Sequence, residues 1–297
     1  MATTNLRTPD DAFARLPDFA FEPQYRDDLT EIGARIAYLD EGPRDGRVYL
    51  CLHGQPTWSY LYRKMIPVFT AAGGRVVAPD LLGFGRSDKP ADASSYTFLS
   101  HRAVVLALVR ALDLRDVTLV VQDWGGLLGL TLPLDEPERY TRLIAMNTAL
   151  GTGDVPLGPG FLAWRAYCAA NPDLDVAALM KRSVRGLTDD EAAAYAAPFP
   201  DVSFKAGVRA FPQLVPDAPE SPGAALSREA RTFWQSRWAG ASFLAIGMQD
   251  PVLGPPAMRA LAASIRNSPP PLELAEAGHF VQESGRTVAE AALAHFG

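Results

Sequence analysis

The chain predicts a mostly parallel, doubly wound α/β sheet with an inserted helical cap. Three observations carry that prediction. Short apolar runs alternate with helical patterns, most of the runs end in a polar residue, and residues 150–225 break the rhythm.

Six runs read as strands: RVYLCLHG, GRVVAPD, VTLVVQD, TRLIAMN, ASFLAIGMQD and PPLELAEAGH. Most are nearly continuous in hydrophobicity, as strands buried on both faces are. Between them, HRAVVLALVRALDL carries apolar residues at helical spacing. GGLLGLTLPLDEPERY opens as a helix that Pro133, lacking an N–H, interrupts. In sheets of this class, working residues stand at the carboxyl ends of strands. His53, Asp80, Asp123, Asn147 and Asp250 hold such positions, and His279 follows the sixth run.

The break begins with the Gly/Pro-rich GTGDVPLGPG and ends with FPQLVPDAPESPGA. Between them lie FLAWRAYCAA, DLDVAALMKR and LTDDEAAAYAAPFP. The last carries a capping box, Thr188 with Glu191 three residues on. An ordinary crossover would be far shorter. Residues 1–149 and 226–297 are therefore expected to form the core, and 150–225 a helical cap.

Composition narrows the function. A chain of 297 residues that is 48% hydrophobic can bury a large core. Its net charge of −6, without a block of five like charges, argues against nucleic acid and against a basic membrane-binding face. The start MATTNLRTPDDAFARLPDF lacks the pattern of a signal peptide, and no run of 18 apolar residues exists. Two cysteines, Cys51 and Cys168, make no disulfide framework, so a reduced, cytoplasmic chain is expected. The four histidines, His53, His101, His279 and His295, lack metal-ligand spacing, so no metal or other cofactor is expected. Nothing in the composition calls for more than a monomer.

The informative stretch is VTLVVQDWGGLLG, where a buried strand ends in an acid followed by an indole and two glycines. Asp123 could be a helix N-cap. The strand, sharp turn and helix also resemble the nucleophile elbow of α/β-hydrolases, with an aspartate where many members carry serine. That resemblance implies the chain order nucleophile, acid, histidine, which Asp123, Asp250 and His279 satisfy. HGQPTW matches the His-Gly turn after the third strand, so the backbone N–H groups of Gln55 and Trp124 would form the oxyanion hole. DLLGFGRSDKP does not complete a G-x-G-x-x-G phosphate loop.

An aspartate is ionised at neutral pH and attacks without a base. Attack on saturated carbon gives an ester, which water can still cleave; serine would give an ether and a dead end. Water attack needs a base, the role of His279, with Asp250 orienting it. Two families use this chemistry. Epoxide hydrolases need an acid for the alkoxide, supplied by cap tyrosines, for which Tyr167 and Tyr195 are candidates. Haloalkane dehalogenases instead need hydrogen-bond donors around a departing halide.

HGQPTWSYLYRKMIPVF, VVQDWGGLLGLTLP, AYAAPFPD, FLAIGMQD and AGHFVQE resemble the haloalkane dehalogenases whose halide site uses two tryptophans. The resemblance implies Trp124 and Trp164 as halide donors, with Phe161, Phe211 and Pro212 along the pocket. Gln55 stands where relatives often carry Glu or Asn, and an Asn there can replace the second indole. Asn147 holds the place where another subfamily keeps its triad acid; an amide cannot fill that role. Trp58, Trp234 and Trp238 are assigned to structure. A small halogenated alkane would be hydrolysed to a primary alcohol, a halide ion and a proton. The third reading is a hydrolase fold kept as a small-molecule receptor, against which the complete triad argues.

Overall fold

The computed structural model describes residues 4–297. Eight strands form one sheet: β1 (Gln24–Arg26), β2 (Ile36–Glu41), β3 (Val48–Leu52), β4 (Arg75–Pro79), β5 (Val117–Gln122), β6 (Tyr140–Met146), β7 (Ala241–Gly247) and β8 (Leu272–Leu274). Their order is β8-β7-β6-β5-β3-β4-β2-β1, and β2 alone runs against the others. The six expected runs are β3 to β8.

The two strands outside that expectation form one edge, where the apolar pattern is weakest. Gln24 and Tyr25 in β1 are exposed, and β2 ends in Asp40 and Glu41. Asp40 is held by Arg75 of β4 through paired contacts of 2.8 and 2.9 Å, which compensates a carboxylate in a largely buried strand.

β3 and β5 lie side by side, with Leu52 opposite Val121. From β3 the chain proceeds to β4 on one side, whereas β5 leads on to β6, β7 and β8 on the other. The connections leaving these neighbours therefore diverge and open a crevice at their carboxyl ends. The residues after β3 and after β5 meet there.

The helices are α1 (Ile66–Ala71), α2 (Phe98–Ala111), α3 (Trp124–Gly129), α4 (Pro159–Ala170), α5 (Val176–Ser183), α6 (Asp189–Ala196), α7 (Ala206–Leu214), α8 (Ala224–Ser236), α9 (Pro255–Ala263) and α10 (Gly285–Phe296). α3 stops at Gly129, and the chain continues as a 3-10 turn containing Pro133. α4 to α7 lie between β6 and α8. The return to the core expected at 226 falls inside α8, which starts at Ala224. At the start of α6, Glu191 donates its N–H to Thr188 Oγ1 at 3.2 Å, and the Glu191 carboxylate accepts from Thr188 N at 3.0 Å. Among the described residues, no helix is long and apolar enough to cross a membrane.

A buried ion cluster ties α6 to the core. Arg63, whose side chain is fully enclosed, donates to both oxygens of Glu283 at 2.7 and 2.9 Å and to Glu191 at 2.8 Å. The Tyr195 hydroxyl accepts from Arg63 at 3.1 Å and donates to Glu283. The guanidinium also lies 4.3 Å from the ring centre of Tyr60. One cation thus bridges α6 and the segment just after His279.

Candidate active site

Asp123 occupies the turn between β5 and α3 with φ +50° and ψ −124°, a backbone that non-glycine residues rarely adopt. Several hydrogen bonds hold it. Its N–H donates to Asn147 O at 3.0 Å, and its carbonyl accepts from Gly126 N, Leu127 N and Thr148 Oγ1 at 2.9, 3.1 and 2.8 Å. Two glycines leave room for the turn. A Cβ on Gly125 would run into the Leu52 carbonyl, and one on Gly54 would run into the Asp123 carboxylate.

The carboxylate has two unlike oxygens. Oδ1 accepts the Gln55 backbone N–H at 2.8 Å, while Oδ2 lies 3.6 Å from Nε2 of His279. His279 Nδ1 is 2.8 Å from Oδ2 of Asp250. Asp250 in turn accepts from Asn147 Nδ2 at 2.8 Å and from Val252 N at 2.8 Å. Asn147 thus holds the acid at the end of β7, and its own Oδ1 accepts from Gly247 N at 2.9 Å.

Burial governs the charges. It raises Asp123 above the ordinary carboxylate range, although His279 and the N–H groups of Trp124 and Gln55 draw it partly back. Burial also pushes Asp250 up, but the His279 charge, its hydrogen bond and the Val252 and Asn147 donors outweigh that and hold it low. For His279, burial disfavours the cation, yet Asp250 and then Asp123 raise it to about 9. In the substrate-free state, two carboxylates therefore favour the imidazolium.

A cavity of about 990 Å³ opens above these groups, bordered on the sheet side by Gln55, Asp123, Asp250 and His279, and on the helical side by Phe161, Trp164 and Tyr167. The five tryptophans divide by their indole N–H. Those of Trp58, Trp234 and Trp238 donate to Ala194 O, Leu130 O and Ser242 Oγ at 3.1, 2.8 and 2.9 Å. Those of Trp124 and Trp164 have no acceptor among the described residues; Trp164 borders the cavity, whereas Trp124 lies buried beneath it and is not part of its lining. Trp124 is nearly buried, with ring centres 6.1 Å from Phe98 and 4.7 Å from Phe211. Trp164 lies on α4 at the cavity wall.

One expectation needs correction, and two alternatives fall away. Phe211 and Pro212 do not border the cavity; Phe211 is wholly buried behind Trp124, and the Pro212 carbonyl accepts from Arg165 at 2.9 Å. Tyr195 is fully buried in the Arg63 cluster, so its hydroxyl cannot serve as an acid facing the pocket. The Gln55 amide is turned away from a halide role, donating to Val208 O on α7 at 2.9 Å.

Other contributors were not read from sequence: the support Asn147 and Thr148 give, and Gln122 beside the histidine. Asn147 and Gln122 each carried a signal as a lone polar residue ending an apolar strand. Their partners lie 157 residues away for Gln122 and 103 for Asn147, beyond any sequence pattern.

The sequence model of the α/β hydrolase fold matches residues 48–285. A haloalkane dehalogenase of Psychrobacter cryohalolentis is 45% identical over 96% of this chain and 95% of its own. One of Mycolicibacterium paratuberculosis is 42% identical over 97% of each. Among solved structures, a haloalkane dehalogenase of Paraglaciecola agarilytica NO2, described as tetrameric, superposes with a TM-score of 0.96 at 49% identity, covering 98% of each chain. The monomer expected from composition finds no support in that relative. The chain belongs to the haloalkane dehalogenases of the α/β-hydrolase fold, enzymes that cleave a carbon–halogen bond by hydrolysis.

Proposed function

We propose that the chain hydrolyses short chloro- and bromoalkanes through an alkyl ester on Asp123. The observation that carries this reading is the division of labour within one carboxylate. Oδ1 already sits on the Gln55 N–H, and Oδ2, which carries no such donor, lies 3.6 Å from His279 Nε2. Oδ2 attacks the carbon, the carbon–halogen bond breaks, and the halide leaves with the bonding pair. Oδ1 becomes the ester carbonyl oxygen. Water then adds to the ester carbon while His279 Nε2 takes its proton, and the developing oxyanion is the oxygen already on the Gln55 donor, with Trp124 N–H beside it. Collapse releases the alcohol and restores the carboxylate, for a net yield of alcohol, halide and one proton.

The departing halide needs donors in place of water. We assign that role to the indole N–H groups of Trp124 and Trp164, the two without an acceptor among the described residues. Asp250 keeps the imidazole oriented and stabilises its cation. Phe161 lines the apolar wall. We assign residues 150–223 to a cap over a core made of 1–149 and 224–297, because α8 begins at Ala224. We extend self-association to this chain from the tetrameric relative; sedimentation at the mass of a single chain would contradict it. We infer a cytoplasmic setting from the free, buried Cys51 and Cys168, which cell fractionation would check.

A halide-release panel of chloro- and bromoalkanes, run beside an epoxide panel, tests the reading. Release of halide and proton in equal amounts is expected. Faster turnover of epoxides than of any haloalkane would overturn it.

A further inference from the structure

Gln122 is fully buried at the end of β5, and both of its side-chain hydrogen bonds go to His279. Its Nε2 lies 2.9 Å from His279 Nε2 and 3.1 Å from the carbonyl oxygen of the same residue. The carbonyl can only accept, so the amide must present its nitrogen. In the resting imidazolium the amide N–H faces another donor, and the 2.9 Å contact becomes a hydrogen bond once Nε2 has lost its proton. The remaining proton then sits on Nδ1, facing Asp250. Gln122 Oε1 is buried without a partner among the described residues, so His279 is the amide's sole hydrogen-bond partner there.

We propose that Gln122 is a positioning residue for the base: its amide holds His279 as the Nδ1–H tautomer and favours Nε2 without a proton. This rests on the covalent reading above. The charged groups facing the imidazole are Asp250 from the loop after β7 and Asp123 from the elbow. The helical side of the cavity adds Arg182, and Arg185 paired with Glu276. The two carboxylates favour a proton on the ring; the Gln122 donor opposes it. Formation of the ester removes the Asp123 charge, and the balance moves toward the free base at the step that needs one. The entering water takes over the Nε2 lone pair, while the bond from Gln122 to the carbonyl keeps the loop in place. Once the water proton has moved to Nε2, the facing amide donor disfavours its staying there.

The test follows halide burst, ester hydrolysis and pH in Gln122→Met and Gln122→Glu variants of the full chain. In Gln122→Met the donor is lost at similar volume, and the acid limb of ester hydrolysis should move up by about one pH unit, a roughly tenfold loss on that limb. Activity should return toward wild type at high pH. Gln122→Glu places an acceptor against Nε2 and should retain the protonated ring, giving one halide per site and then a stalled adduct on Asp123. An intact burst shows that each variant is folded around its pocket. A uniform loss across pH in Gln122→Met, or normal ester hydrolysis in Gln122→Glu, would overturn the proposal and leave the covalent reading standing. Absence of any Asp123 adduct, in these variants and in His279→Phe alike, would overturn both. Should Gln122→Glu fail to fold, the pH limb of Gln122→Met decides alone.

Discussion

The two walls of the cavity are built differently. On the sheet side every reacting group is fixed by neighbours: Asp123 by the turn and the Gln55 N–H, His279 by Asp250, and Asp250 by Asn147 and Val252. On the helical side, Trp164 is only partly buried, Tyr167 is 41% exposed, and Leu162 on the same helix is 48% exposed. One wall is pre-organised for charge development; the other supplies apolar surface and a free donor. Geometry that must hold through bond making is thus placed on strand ends, whereas the wall that meets varied substrates is looser.

Substitutions on the two walls should therefore fail in different ways. The largest effect belongs to Asp123→Ala, which removes the nucleophile and should cut halide release by roughly 10⁴-fold or more, as loss of such a residue does elsewhere. A remaining rate within tenfold of wild type would move the attack to water. Next comes the tie between the walls. Arg63→Met removes the enclosed cation from the partly buried Glu191 and Glu283, leaving them only Lys64, 2.8 Å from Glu283, and should cost about 3 kcal/mol in chemical denaturation. A loss below about 1 kcal/mol, the scale of an exposed pair, would deny the cluster its bridging role.

The two indoles sharpen the contrast. Trp164→Phe should lower turnover roughly 100-fold and weaken halide binding while leaving the melting temperature nearly unchanged, because a donor is lost and little packing with it. Trp124→Phe should show the same kinetic loss together with a lower melting temperature, since that ring packs between Phe98 and Phe211. Equal melting temperatures would contradict the difference in burial. The smallest effect is expected for Tyr167→Phe, under about threefold on haloalkanes, because the hydroxyl makes no hydrogen bond to the described residues. A large loss there would restore an acid role for that tyrosine.

Much of the sheet-side wall was legible in sequence. Buried parallel strands read as continuous apolar runs, and a polar residue ending such a run stands out, so Asp123, Asp250 and β3 to β8 were visible. β1 and β2 were not, because their exposed or charged residues break the apolar pattern at the sheet edge. On the helical side, helical spacing identifies an apolar face but not what that face meets. Phe211 and Trp164 both read as cap aromatics; one is walled in behind Trp124, the other borders the cavity. Tyr195 was drawn into an ion cluster whose arginine lies 132 residues away. Pairings of that range are set by packing.

The pH dependence follows from the same asymmetry. His279 is raised to about 9 while Asp123 is anionic, and the ester removes that contribution. The base must be neutral to act, so ester hydrolysis should fall as pH drops through the imidazole pKa of the ester state, and that midpoint should lie below 9. Single-turnover rates measured across pH would check this; a midpoint unchanged from the resting imidazole would deny coupling between the two residues.

The most direct test of covalent catalysis is the first turnover of His279→Phe. Halide departure needs only the carboxylate, whereas water attack needs the base. Rapid quench with a bromoalkane should give about one halide per active site and then a stall, with the alkyl mass on the peptide containing Asp123. A folded variant that releases no halide would contradict the account, since histidine would then be needed before any ester forms.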